Sequence, residues 1–145
     1  MTNKEYALSL FKDGFCCSQS VITPYVEQWG LDRENFLKLT DAFGGGISGM
    51  ANICGAVSGA IMAIGLKYGR TQSNDTEAKQ KTRSLVNEFV KRYKDRYGFI
   101  ECKHLLGADI STPEGRSLAK EKDLFDAKCP QLIEDAIDIL NDILK

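Results

Sequence analysis

No Cys-x-x-Cys pair occurs in this chain, although five cysteines stand among its 145 residues. The spacings of a thioredoxin-type redox centre and of a zinc ribbon are therefore both missing. Five is an odd number, so a purely structural disulfide framework would leave one thiol over. An excess of charge of one sign is missing too. Nineteen basic and twenty acidic side chains leave a net charge of -1, which argues against a nucleic-acid groove or an anionic membrane surface. The longest apolar stretch, Ile53 to Leu66, is broken by glycines and too short to span a bilayer. The polar start Met1-Thr2-Asn3-Lys4-Glu5-Tyr6 lacks the basic and apolar regions of a signal peptide. A soluble, cytoplasmic protein with no nucleic-acid partner and no membrane insertion is the expectation. Hydrolase and phosphate-loop chemistry also find no support. Gly46-Ile47-Ser48-Gly49 only loosely resembles a nucleophile elbow, and Gly44-Gly45-Gly46 lacks the Gly-Lys-Ser/Thr ending of a phosphate loop.

Strand alternation is absent as well, since Val21-Ile22 and Phe99-Ile100 are too short to support a sheet. No repeat, low-complexity segment or linker divides the chain, so residues 1–145 are expected to form one helical domain. Helical punctuation dominates instead. Thr2 and Glu5 have capping-box spacing ahead of a helix that Gly14 stops. Ser18 caps a second helix running towards Trp29 and ended by Gly30, with Pro24 expected to kink or break it. Asp32 starts a third, whose apolar side is Phe36, Leu37, Leu39 and Phe43. A fourth is predicted from about Asn52 to Lys67, apolar or small all round and hence central. Leu85, Val86, Phe89, Val90, Tyr93 and Tyr97 stripe a long fifth helix from about Asn74 to Tyr97. A short helix spans Cys102 to Leu106, Thr112-Pro113-Glu114 opens another to about Leu124, and Cys129-Pro130 starts the last. The expected fold is all-α: a single-domain bundle of about five main helices plus one or two short ones, with a glycine-rich loop leading into the central apolar helix.

On this map Cys17, Cys54 and Cys129 each fall at a predicted helix N-terminus, and Cys102 follows a glycine turn. Unpaired N–H groups at a helix start carry partial positive charge, which favours thiolate over thiol. Thiolates attack disulfides and bind metals, so Cys54, behind the Gly44–Gly49 loop, marks redox or metal chemistry. Gly55, Gly59, Ala56, Ala60 and Ala63 form a small-residue face that lets a helix or a bound group approach closely. Tight packing is the main reading of that face. Gly55 and Gly59 are also the candidate cofactor-contacting positions. Cys16 projects differently from Cys17 and is assigned the spare role. The lone His104, two residues from Cys102, could activate a thiol or donate a ligand, though a surface position is the more common role for such a residue.

The segments Gly14-Phe15-Cys16-Cys17-Ser18-Gln19-Ser20-Val21, Phe43-Gly44-Gly45-Gly46, Cys54-Gly55-Ala56-Val57-Ser58-Gly59 and Cys102-Lys103-His104-Leu105-Leu106-Gly107, followed by Cys129, occur in that order. In this the chain resembles the bacterial four-cysteine, CGAxxG-motif putative redox-active protein family. The resemblance runs from about Gly14 to the final helix. It implies that the family's four cysteines are Cys17, Cys54, Cys102 and Cys129, and it omits Cys16. It further implies redox activity, often encoded near transporter genes. A related domain beside multihaem cytochrome modules points to an iron–sulfur centre. Covalent haem is not expected, because Cys-x-x-Cys-His is absent.

Three functions compete at this point. In the first, the four thiols form one site for an iron–sulfur cluster, zinc or another metal, serving electron transfer to a redox partner protein. In the second, a cofactor-free thiol–disulfide protein uses Cys54 as nucleophile and Cys17, Cys102 or Cys129 to resolve it. Either would make the protein an oxidoreductase or electron carrier. In the third, the cysteines only pack, and the chain is a non-redox helical binding module. The chain's modest length and family context suggest a homodimer, although no coiled-coil seam is present.

Overall fold

Most helix starts marked by a capping residue form close to their mark. The computed structural model describes residues 1–145. Helix α1 (Asn3–Lys12) carries the complete capping box: Thr2 Oγ1 accepts from the Glu5 N–H, and the Glu5 carboxylate accepts from the Thr2 N–H. α2 spans Cys17–Gln28, and α3 spans Arg33–Asp41 behind an Asp32 cap. α4 spans Gly55–Tyr68. α5 (Thr76–Tyr97) is capped by Asp75 and ends on Gly98, which sits in the left-handed region at φ 81°. α6 is the short Cys102–Leu106 helix, α7 covers Pro113–Glu121 behind Thr112, and α8 covers Leu124–Ile143. The architecture is all-α. Five helices have ten residues or more, two have nine and one has five.

Five details depart from the sequence expectation. Cys16, not Ser18, is the α2 cap residue: its backbone N–H donates to Gln19 Oε1 at 3.0 Å, while Ser18 is drawn inside the first turn. α2 then runs unbroken through Pro24. Asn52 does not begin α4, because residues 52–54 are extended and pair with residues 100–102, leaving Cys54 as the cap. Cys129 does not begin α8. It lies in the second turn, because Asp123 takes a left-handed conformation (φ 52°) that ends α7 and lets α8 start at Leu124. Pro130 only removes one N–H from that helix. On α3 the buried residue is Thr40, whereas Leu39 is 60% exposed.

The centre is shared rather than held by α4 alone. α2 packs on α1, α3, α4 and α8, and all residues from Cys17 to Val26 are buried. Its buried polar groups are all paired. Ser18 Oγ donates to the Thr40 carbonyl (2.8 Å), Gln19 Nε2 to Leu37 (3.0 Å) and Thr23 Oγ1 to Gln19 (2.6 Å). Leaving one such group unpaired would cost about 1–3 kcal/mol. The first two of these bonds tie α3 to the start of α2.

Gly59 is where α2 and α4 meet most closely. A Cβ there would lie 2.8 Å from the Ser18 carbonyl oxygen and 3.2 Å from Ser18 Cα. Gly55 is nearly as tight, 3.0 Å from the Ser18 nitrogen and 3.1 Å from Cys17 Cβ. The small-residue face therefore docks α4 backbone against the first turn of α2, which sets Cys54 beside Cys17. On the far side, α5 and α8 close over the core through buried Phe89, Tyr93, Ile133 and Ile137. The Tyr93 hydroxyl donates to the Leu132 carbonyl at 3.1 Å. No helix is long and apolar enough to cross a membrane.

Candidate functional site

The approach to Cys54 is a left-handed coil. Gly45 (φ 65°), Gly46 (69°), Ile47 (67°), Ser48 (48°) and Gly49 (78°) are consecutive, and Ala51 (60°) follows. Their N–H groups bond unusually far back, Ala51 to Gly45 at 3.1 Å and Asn52 to Gly46 at 2.9 Å. A Cβ on Gly46 would sit 2.5 Å from the Asn52 nitrogen, so only glycine fits. Ile47 is the strained member, since a β-branched residue in this region costs on the order of 1–3 kcal/mol. The coil reverses the chain in a small volume and returns it as the extended residues 52–54.

Those residues meet the segment before α6. The Cys54 N–H donates to the Ile100 carbonyl (2.8 Å) and the Cys102 N–H to the Asn52 carbonyl (2.6 Å), around a single antiparallel bridge of Ile53 with Glu101. Backbone pairing thus places Cys54 next to Cys102. Helix docking places it next to Cys17, and α8 delivers Cys129 from the opposite wall.

All four line one half-open cavity of about 320 Å3. Each is buried, between 4% and 9% exposed, and all are free thiols. Phe11, Phe15, Phe125, Leu105, Leu106 and Leu132 supply apolar walls, Gly45, Gly46 and Gly55 supply backbone, and Asp126 is the one charged side chain. Gly59 faces α2 and does not line the cavity, so its role is packing; Gly55 does both. Cys16 also reaches the cavity rim, with its sulfur 3.2 Å from Ser18 Oγ and its Cβ against Gly44. It does not point wholly away. His104 is exposed, its ring tilted 33° against that of Phe99 with centroids 4.6 Å apart, and takes no part in the cavity wall.

The electrostatics of the four thiols differ sharply. Cys17 and Cys129 are near enough for each to shift the ionisation of the other. The neighbouring Cys17 thiol lowers the Cys129 pKa despite its burial. The Cys17 pKa is raised well above its ordinary 9.0 by Cys129 and by burial. Burial pushes Cys54 up to about 12, outweighing the Ala56 and Val57 N–H groups that act in the opposite sense. The helix-start effect expected at Cys54 is therefore present in sign but overridden. Cys102 is raised to about 11, again chiefly by burial, with the neighbouring Cys129 and Asp109 adding to it. Cys129 and Cys54 are each electrostatic neighbours of the other three thiols, so the four form one group.

The donor set is chemically right for a soft metal or an iron–sulfur cluster, but the side chains are not gathered round a single metal ion: no three of the Cys, His, Asp and Glu side chains are placed to hold one. Sequence reasoning missed the walls, above all Asp126 and Phe125. Their signal was present, since Asp126 and Cys129 are three apart, but it is visible only once α8 is known to begin at Leu124.

Fold and site together define an all-helical protein with a buried cluster of thiols. A model of the family described as "Putative redox-active protein (C_GCAxxG_C_C)" matches residues 15–143, and the chain belongs to that family. Its own motif reads Cys54-Gly55-Ala56-Val57-Ser58-Gly59, with cysteine ahead of glycine. Neither the comparison with curated proteins nor that with solved structures found a match.

Proposed function

We propose that this is a cofactor-free dithiol–disulfide redox protein whose working couple is Cys17 and Cys129. The observation that carries this reading is that both buried thiols line one cavity, where each perturbs the ionisation of the other. The neighbouring Cys17 thiol makes Cys129 the more acidic of the two, which is the pairing that thiol–disulfide exchange needs. On oxidation the two thiols release two protons and two electrons to an acceptor, and the S–S bond forms between them; reduction reverses each change. The attacking sulfur is then Cys129 rather than Cys54, whose burial holds it as a neutral thiol. Cys54 and Cys102 line the same cavity as a second, harder-to-ionise set of thiols.

Electron transfer through an iron–sulfur cluster or zinc-type binding is the second reading, supported by four thiols beside glycine backbone. Against binding of a single metal ion, no three such side chains are gathered round one point. The deciding experiment is a redox titration followed by peptide mass spectrometry, with metal analysis of anaerobically prepared protein. Reversible formation of a Cys17–Cys129 disulfide in metal-free protein is the expected result. Stoichiometric iron or zinc, or no reversible pair at all, would overturn it.

A further inference from the structure

The four thiols of the cavity are at most 9% exposed, which bears on what can react with them. A disulfide carried on the surface of another protein must reach its target sulfur directly, and these sulfurs lie below the surface. A small molecule entering the cavity meets no such barrier. Its volume, about 320 Å3, is at the lower end of the range for small-molecule sites, enough for one compact ring system. Phe11, Phe15 and Phe125 offer ring faces and edges. No lysine, arginine or histidine lines the space, and Asp126 contributes a negative charge. An anionic guest would therefore be desolvated on apolar walls, with no cation to receive it and the exposed Asp126 carboxylate repelling it at the rim.

We propose that the cavity admits a small, neutral, ring-bearing two-electron acceptor of the quinone class, and that Asp126 excludes anionic ones. This rests on the Cys17–Cys129 couple proposed above. The reaction balances without further reagents. Cys17 and Cys129 lose two protons and two electrons as their S–S bond forms, and the two quinone oxygens take up both to give the hydroquinone. Asp126 acts on selection of the guest, three residues from Cys129 on the same helix.

The experiment uses the full chain, fully reduced and kept anaerobic, with duroquinone as the neutral acceptor; its fully methylated ring leaves no carbon free for a simple thiol adduct. Hydroquinone formation is followed by absorbance and the protein disulfide by peptide mass spectrometry. Saturable reduction of duroquinone with one Cys17–Cys129 bond per hydroquinone is the expected result. A sulfonated quinone should react slower, and Asp126→Asn should narrow the gap between the two by several-fold. Phe125→Ala, a change at a partly exposed ring, should raise the KM for duroquinone. Dipyridyl disulfide serves as the independent check of the dithiol couple. If it forms the Cys17–Cys129 bond while duroquinone does not, or an oxidised thioredoxin-type protein reacts faster than duroquinone, the quinone proposal fails and the couple stands. An Asp126→Asn variant with an unchanged ratio would remove Asp126 from the selection. Failure of dipyridyl disulfide to form that bond would sink both.

Discussion

At the scale of single residues, burial and the pairing of Cys17 with Cys129 divide four chemically identical thiols into different reagents. Cys129 is acidified by the neighbouring Cys17 thiol. Alkylation of Cys129 should therefore reach half its maximal rate at a lower pH than that of an ordinary cysteine. Cys17→Ala should move that midpoint upward, whereas Cys17→Ser, which keeps a donor, should move it less. Mass-resolved iodoacetamide labelling across pH reads both. Cys54 and Cys102 give the opposite kind of signal. Their folded pKa values, about 12 and about 11, lie above the ordinary 9.0, so above that pH the unfolded chain binds fewer protons than the native one. The resulting stabilisation is fully present below pH 9 and is lost as pH rises through the folded values. Each group should remove on the order of 1.4 kcal/mol per pH unit within its window. Urea midpoints measured from pH 8 to pH 11 should fall, and more gently in Cys54→Ala.

At the scale of elements, the contact of α2 with α4 and the left-handed coil ahead of Cys54 set the site's geometry. Gly59→Ala puts a methyl group 2.8 Å from the Ser18 carbonyl oxygen, and the backbone there cannot yield cheaply. A loss of about 1–3 kcal/mol is expected from this substitution, and more from Gly59→Leu. Thermal or urea unfolding checks it, and an unchanged midpoint would show that the two helices can separate without penalty. In the coil, Ile47 at φ 67° is held against its own preference. Ile47→Gly should relieve backbone strain, offset by the lost contacts of a half-buried side chain, so its net effect on stability should be small. Gly46→Ala, by contrast, meets backbone at 2.5 Å and should be strongly destabilising. The ranking of those two variants tests the coil directly.

For the whole molecule, residues distant in sequence converge on one cavity, and that convergence has a thermodynamic consequence. A Cys17–Cys129 bond would close a loop comprising most of the chain and tie the start of α2 to α8. In the chain-entropy account a loop of about 100 residues contributes up to roughly 4.7 kcal/mol, and typical gains are about 2–4 kcal/mol. Oxidised protein should therefore unfold at a higher urea concentration than reduced protein, with the difference abolished in Cys129→Ser. Equal midpoints for the two forms would mean that the bond strains the fold as much as it restrains the unfolded chain.

Caps, stops and apolar stripes are local properties, which is why the helices were legible in the sequence. Thr2 with Glu5, Asp32, Asp75 with Gly98, and Thr112 with Pro113 act through neighbours a few residues away, and each marks an end that forms. The four cysteines were legible too, from their motif and their places near turns. What the sequence could not supply was any quantity set by distant segments. Asn52 looks like a cap until the segment at Ile100 pairs with its neighbours, and Cys129-Pro130 looks like a helix start until Asp123 turns the chain six residues earlier. The acidity of Cys54 was misjudged for the same reason. Its helix start favours thiolate locally, but α2, α6 and α8 remove water from the sulfur, and desolvation is the larger effect. Only the tertiary structure brought Cys17 against Cys129 across more than a hundred residues. Only it set Phe125 and Asp126 on the rim, because a shared cavity depends on how helices pack, not on the order in which they are joined.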